Sequence, residues 1–228
     1  MIIGNGLLAK KFSDYEMDNE LLIFASGVSN SSETSLKAFD REKNLLLDAL
    51  NNQSGKKLIY FSTCSMYDRY FDINAYTNHK LNMESMIQKL SESYTIIRLP
   101  QVLGVNNQYQ LMGFLYRAIK ENKNFNLFNI ERNVIDIEDV KLITSYMIKH
   151  DLFQNRIINI AHPKNIKVLD LVGLLEKILE VKSNYTVIDK IGSLDICIDE
   201  IKFIIDELDL FKGNYIEERI LKYCEKTN

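Results

Sequence analysis

Apolar residues fall along the chain in two alternating rhythms. Short unbroken runs occur at "MII" (1–3), "LLIFA" (21–25), "KLIYFS" (57–62) and "YTIIRL" (94–99). Each has the length of a strand and apolar residues on both faces, as in a parallel sheet covered on both sides. Between them, 33–53 places Leu36, Phe39, Leu46, Leu47 and Leu50 on one helical stripe. The stretch 79–90 does the same with Leu81, Met83, Met86, Ile87 and Leu90. Strand–helix–strand alternation predicts a Rossmann-like, doubly wound α/β sheet with right-handed crossovers. Past Gly104 the pattern is more mixed. A helix at about 110–121 leads through "FNLF", "NVIDI" and "IINIA" to the helix "VLDLVGLLEKILE", the run "YTVID" and two closing helices. The predicted division is a Rossmann-like dinucleotide-binding core over 1–105 and a small mixed substrate-binding lobe over 106–228, with strands free to rejoin the sheet.

Composition narrows the class. Twenty-eight Lys and Arg against 31 Asp and Glu give a net charge of −3, so no basic field invites nucleic acid or an anionic membrane. No apolar run approaches the ~20 residues of a membrane span, and the start, "MIIGNG", shows no signal peptide. Cys64, Cys197 and Cys224 are odd in number and far apart, which argues against a disulfide framework or a zinc site. His79, His150 and His162 lack ligand spacing and are expected at surface or capping positions, so no metal is expected. The expectation is a soluble cytoplasmic protein.

Two stretches carry chemistry. "IIGNGLLAKKF" reads strand, Gly4-x-Gly6-x-x-Ala9, helix. In such a turn the first glycine permits the bend and the second lets a pyrophosphate approach the backbone. A small third residue lets the helix pack close to the strand. The second stretch, "FSTCSMYDRYFDINAYTNHK" (61–80), pairs Ser62 and Thr63 at a strand end with Tyr76 and Lys80 one helical turn apart. A tyrosine that exchanges protons near neutral pH needs its pKa lowered from ~10, and a lysine on the same helix face supplies the charge. A strand-end hydroxyl can orient the substrate oxygen.

The order Gly4-x-Gly6-x-x-Ala9, "FASG", "FSTCSMY", "YTNHK", "RLPQVLG", "RNVIDIEDV" resembles the extended short-chain dehydrogenases/reductases, and within them the sugar-nucleotide epimerase, dehydratase and reductase branch. The resemblance implies that Tyr76 is the catalytic tyrosine. It makes Lys80 the lysine that binds the nicotinamide ribose, and Thr63 the catalytic hydroxyl. At the cofactor, NAD or NADP, it places Gly4, Gly6, Leu7, Leu8, Ala25, Ser26, Gly27, Ser62, Lys80, Pro100 and Val102. Arg132 matches an arginine that meets the substrate diphosphate. Asp139 matches the acid starting the next helix, expected as a cap. Cys64 stands beside the trio, either against substrate or as a small buried filler. Phe114, Tyr116 and Phe128 are core residues or, alternatively, a platform for the nucleotide base. Arg98 is expected to pair with a carboxylate.

Two departures from the family pattern stand out. "FASG" and "KKLIYFST" match the family's fourth and fifth strands, so its second and third strands are expected to be missing, leaving the adenosine side open or rebuilt. No carboxylate follows Leu21–Ala25 to meet the ribose hydroxyls. The dehydratase subgroup carries Asp-Glu after the threonine where this chain has Cys64 and Ser65, which argues against 4,6-dehydration. The resemblance implies NAD(P)-dependent epimerisation or keto-reduction of a nucleotide-activated sugar in surface polysaccharide synthesis, with a homodimer as one arrangement open to it. The alternative is a non-catalytic binding or regulatory protein that keeps the fold without the adenosine site.

Overall fold

The computed structural model describes residues 1–52, 55–104 and 110–227. In chain order the first half comprises β1 (Ile2–Ile3), α1 (Leu7–Lys11), β2 (Leu21–Phe24), α2 (Leu36–Asn52), β3 (Lys57–Thr63), α3 (Ala75–Leu90), β4 (Tyr94–Leu99) and β5 (Gln101–Leu103). The expected end of α2 at 53 lies outside the described residues. The second half comprises α4 (Leu111–Lys120), β6 (Asn124–Asn129), β7 (Glu131–Arg132), β8 (Val134–Asp136), α5 (Ile137–Lys149), β9 (Arg156–Asn159), β10 (Ile166–Lys167), α6 (Val168–Leu179), β11 (Asn184–Asp189), α7 (Lys202–Glu207) and α8 (Tyr215–Thr227).

The main sheet has five parallel strands in the order β1-β2-β3-β4-β9. Its alternation follows from the two-residue period of a strand. Ile23, Ile59, Phe61 and Ile97 point to one face, where they meet Val140, Ile143 and Met147 of α5 and Ile204 of α7. Leu22, Phe24, Leu58, Tyr60 and Ile96 point to the other, against Leu46 and Ala49 of α2 and Met83 and Ile87 of α3. Both faces are therefore apolar, as a parallel sheet requires, and each fully buried side chain of this size contributes roughly 1.5–3 kcal/mol. Leu36 and Leu90, counted on the helical stripes above, sit at helix ends and are exposed.

Among the described residues β1 is an edge strand, and the two strands expected to be missing are missing. The physical reason is chain length. After α1 a single 3-10 turn, Ser13–Tyr15, returns the chain directly to β2. The terminal ammonium of Met1 donates to the Asp18 and Leu21 carbonyls at 2.9 Å and pins that short return to the start of β1.

The second half supplies β9 to the main sheet and builds its own core, in which Leu115, Ile119, Phe125, Leu127, Leu171, Leu175 and Ile220 pack together. Small sheets complete it. β6 pairs β11 in parallel, β5 pairs β8 in parallel and β7 pairs β10 antiparallel. The cap of α5 is Asp136, whose Oδ1 accepts from the Glu138 N–H at 2.9 Å. Asp139, expected in that role, lies one turn inside the helix and is buried, where it accepts from the Tyr215 hydroxyl at 2.6 Å. No described helix is long and apolar enough to cross a membrane.

Candidate functional site

The strand ends of β2, β3 and β4 open into a cleft of about 1110 Å³ between the sheet and the second half. Of the residues assigned from sequence, Gly6, Leu7, Leu8, Ala25, Gly27, Ser62, Thr63, Cys64, Tyr76, Lys80, Pro100, Val102 and Arg132 all line it. Gly4 and Ser26 are not on its wall. Gly4 does a structural job instead. Its φ is +134°, and a Cβ there would fall 2.4 Å from the Ala25 carbonyl oxygen, so only glycine lets β1 turn this close to the end of β2. Ser26 is held from outside, its carbonyl accepting from the Arg41 guanidinium at 3.0 Å. Above Gly6 the space is open, with nothing within 4 Å of a Cβ placed there.

Tyr76 and Lys80 owe their place to the start of α3. Asn74 caps the helix, its side-chain oxygen accepting from the Thr77 N–H at 2.9 Å, an interaction worth typically ~1 kcal/mol. The cap puts Tyr76 and Lys80 in the first two turns on one face, and both are buried at the cleft wall. Tyr76 packs on Val28 and Phe39, and no hydrogen bond within the described residues occupies its hydroxyl. Thr63 ends β3, its Oγ1 accepting from the Ser65 N–H at 3.1 Å and lying 2.8 Å from the Ser65 hydroxyl.

Two buried networks back this wall. In the first, Glu42 of α2, fully buried, is the hub. Its Oε1 accepts from the Lys80 ammonium at 2.8 Å and from the Tyr60 hydroxyl at 2.6 Å. Its Oε2 accepts from the Val28 N–H at 2.6 Å and lies 3.0 Å from His79 Nε2. Lys80 also donates to the Tyr60 oxygen at 3.2 Å. Burial pushes the Glu42 carboxyl up, but the His79 hydrogen bond and the charge and hydrogen bonds of Lys80 and Tyr60 outweigh it and hold it well below the usual carboxylate range. Burial, with the Glu42 charge beside it, pushes the Tyr60 phenol well above its ordinary value. In the second network Glu84 accepts from the Ser62 hydroxyl at 2.5 Å and from Arg98 at 3.0 and 2.6 Å. Arg98 also donates to the Tyr67 hydroxyl at 2.7 Å. The carboxylate partner expected for Arg98 is thus Glu84, and the Ser62 hydroxyl is committed to the same group.

Two histidines depart from expectation. His79 is not a surface residue. It is buried against Glu42 and stacked on Phe39 with ring centroids 4.5 Å apart. His162 is buried as well, its ring stacked on Tyr215 and its backbone N–H donating to Asn133 Oδ1, while His150 ends α5 as its C-cap. Tyr116 belongs to the core of the second half, whereas Phe114 and Phe128 line the cleft. Phe71, unmarked in the sequence, meets Phe128 edge-on at 5.6 Å. Arg132 reaches the same region, 3.1 Å from Asp68 and over the Phe71 ring. Cys64 is a buried thiol on the cleft wall, pushed up by burial, with Arg98 opposing and Glu84 adding to the shift. Among the described residues no cluster of His, Cys, Asp or Glu can hold a metal ion.

Glu42, like Phe71, Tyr60 and Glu84, carries no motif in the sequence. Its signal was present, because Phe39, Glu42, Leu46 and Ala49 are the buried positions of α2 and fall on one face. A carboxylate on an apolar stripe demands a buried partner.

A parallel sheet on a glycine turn, with a hydroxyl, a tyrosine and a lysine at the strand ends, defines a Rossmann-type α/β protein of the short-chain dehydrogenase/reductase kind. Residues 6–161 match the model of the NAD dependent epimerase/dehydratase family, and the chain belongs to that family. Similar solved structures include dTDP-glucose 4,6-dehydratase from Bacillus anthracis in complex with NAD (12% identity, TM-score 0.70, 98% of this chain and 78% of that one). Another is UDP-glucuronic acid 4-epimerase from Bacillus cereus in complex with UDP-glucuronic acid and NAD (17% identity, TM-score 0.70, 97% and 78%). A third is RMD from Pseudomonas aeruginosa complexed with NADPH (14% identity, TM-score 0.69, 91% and 80%). At these identities the likeness is one of fold. No relative is found among curated protein sequences.

Proposed function

We propose that the chain is an NAD(P)-dependent epimerase or ketoreductase acting on a nucleotide-activated sugar whose product feeds surface polysaccharide synthesis. The observation that carries the reading is the convergence of Thr63, Tyr76 and Lys80 on one cleft bordered by Gly6 and Gly27. The residues fit two parts of a dinucleotide. The open backbone at Gly6 admits a pyrophosphate, and the ammonium of Lys80, on the same cleft as Pro100 and Val102, suits the nicotinamide ribose. The bound nicotinamide would supply hydride acceptance and donation at a sugar carbon. Tyr76 would carry the hydroxyl proton, Thr63 would hold the sugar oxygen, and Lys80 would donate to the ribose. Arg132 and the Phe71–Phe128 pair would take the diphosphate and base, with residues 106–228 as the substrate lobe. Cys64, buried, and Ser65, bonded to Thr63, offer no acid–base pair for 4,6-elimination.

A second reading is favoured by one observation, the edge position of β1 among the described residues with no acid at the end of β2. In it the chain binds a partner or ligand without turnover. One experiment separates the two. NADH and NADPH are titrated into the pure protein by fluorescence, and the protein is then incubated with UDP- and dTDP-sugars and each cofactor while the sugar ring is followed by NMR. Epimer interconversion, or a 4-keto group reduced with loss of NAD(P)H, supports catalysis. Binding without turnover supports the second reading, and absence of both rules out the first.

A further inference from the structure

Lys80 is 2% exposed. An ammonium so placed is destabilised by desolvation, and the buried structure must supply a counter-charge or the group sheds its proton. The groups that face it are few. α2 contributes Glu42 and β3 contributes Tyr60, while α3 itself carries His79 against the other Glu42 oxygen and Tyr76 one turn earlier. The turn after β2 contributes only backbone. A Cβ at Gly27 would lie 2.5 Å from Lys80 Nζ and 2.9 Å from Glu42 Oε1, so any side chain there would displace the pair. Tyr60 donates to Glu42 and accepts from Lys80, so among the described residues Glu42 is the one carboxylate bonded to Lys80; Glu84, one turn further along α3 and close enough for its charge to act on Tyr60, is committed to Arg98 and Ser62. An ammonium has three donors, and Glu42 and Tyr60 use two.

We propose that Glu42 is a positioning residue of the cleft. It supplies the buried counter-charge that keeps Lys80 protonated and aimed, with one N–H left for a neutral hydroxyl ligand rather than an anion. The hydroxyl ligand rests on the function proposed above; the charge relationship does not. A net-neutral pair suits an uncharged oxygen such as a ribose hydroxyl, whereas a lone lysine would draw phosphate.

The test is a double-mutant cycle read against pH. Glu42→Gln keeps the shape and a hydrogen-bonding oxygen but removes the charge. Lys80 in that variant should lose its proton in the folded state near neutral pH while keeping it in the unfolded chain up to about pH 10.4. The unfolded state then binds more protons, so stability rises with pH across that window. Glu42→Gln should therefore lower the urea midpoint sharply at about pH 7.5, and the loss should shrink toward about pH 10. Glu42→Gln combined with Lys80→Met should regain most of the loss and show no such slope. Tyr60 stays protonated throughout because burial raises it. If Glu42→Gln fails to fold while the double variant folds, the inference stands. A loss independent of pH, a double variant no more stable than the single one, or failure of both to fold overturns it. Titration of NADH and NADPH into the wild type is the separate arm. If neither binds while the cycle behaves as described, the proposed function fails and the positioning role survives.

Discussion

Glu42 Oε1 stands 2.8 Å from the ammonium of Lys80, both side chains buried. The pair joins α2 to α3 behind the cleft, and its worth depends on pH from the acid side as well. The Glu42 carboxyl is held below its usual range in the folded chain, so its contribution is fully present above the unfolded value of about 4.3 and is lost as pH falls through the lower folded value. The stability margin of wild type over Glu42→Gln should narrow progressively below about pH 4. At neutral pH removing one partner of such a pair costs about 3–5 kcal/mol. Urea titrations at several acid pH values check this, and a margin that stays flat down to about pH 2 would contradict it.

The two glycines of the first turn should separate by phenotype. Gly4→Ala meets the Ala25 carbonyl and an unfavourable φ, so it should lower stability by roughly 1–3 kcal/mol or more. Gly6→Val has free space around it. It should leave the melting temperature nearly unchanged and abolish dinucleotide binding by covering the backbone. Melting curves with and without NADH or NADPH read both effects at once. Equal destabilisation by the two substitutions would mean that Gly6 serves the turn rather than a ligand.

Much of this architecture was legible in the sequence for a physical reason. Strands buried on both faces leave unbroken apolar runs, and Leu21–Phe24, Lys57–Thr63 and Tyr94–Leu99 form where those runs lie. The missing strands were legible as a length, since too few residues separate Ala9 from Leu21 to cross the sheet edge and return. The Glu42 hub is half encoded locally: the face shared with Phe39, Leu46 and Ala49 marks the carboxylate as buried, but its partners at 60, 79 and 80 are set by packing of α2 on β3 and α3. Asp136 rather than Asp139 capping α5 is a boundary shift of the kind local propensity does not resolve.

The three thiols should differ widely in reactivity. Cys197 is exposed, whereas Cys64 and Cys224 are buried. Burial pushes Cys224 up to about 11, with Glu225 adding to it, and pushes Cys64 higher still. Thiolate is the reactive form, so a disulfide reagent at about pH 8 should modify one thiol quickly in the native protein and all three after denaturation. Fast loss of a second thiol, mapped to Cys64 by peptide mass, would show that the cleft wall opens on the time scale of labelling.

The last expectation concerns Tyr76 and Thr63, whose hydroxyls serve different atoms in the proposed reaction. Tyr76→Phe removes one oxygen and leaves the packing on Val28 and Phe39 intact. Turnover should fall by about 10²–10⁴-fold, the range for a positioned acid or base, while affinity for cofactor and sugar changes far less. Thr63→Val keeps the shape but loses the oxygen that accepts from the Ser65 N–H. It should reduce turnover without altering cofactor affinity, because in the proposed reaction its hydroxyl would hold the sugar oxygen. Steady-state kinetics with a fluorescence-measured cofactor Kd separate these effects. If Tyr76→Phe turns over as fast as wild type, another group moves the proton, and the role assigned to Tyr76 is wrong even though its place in the cleft is right.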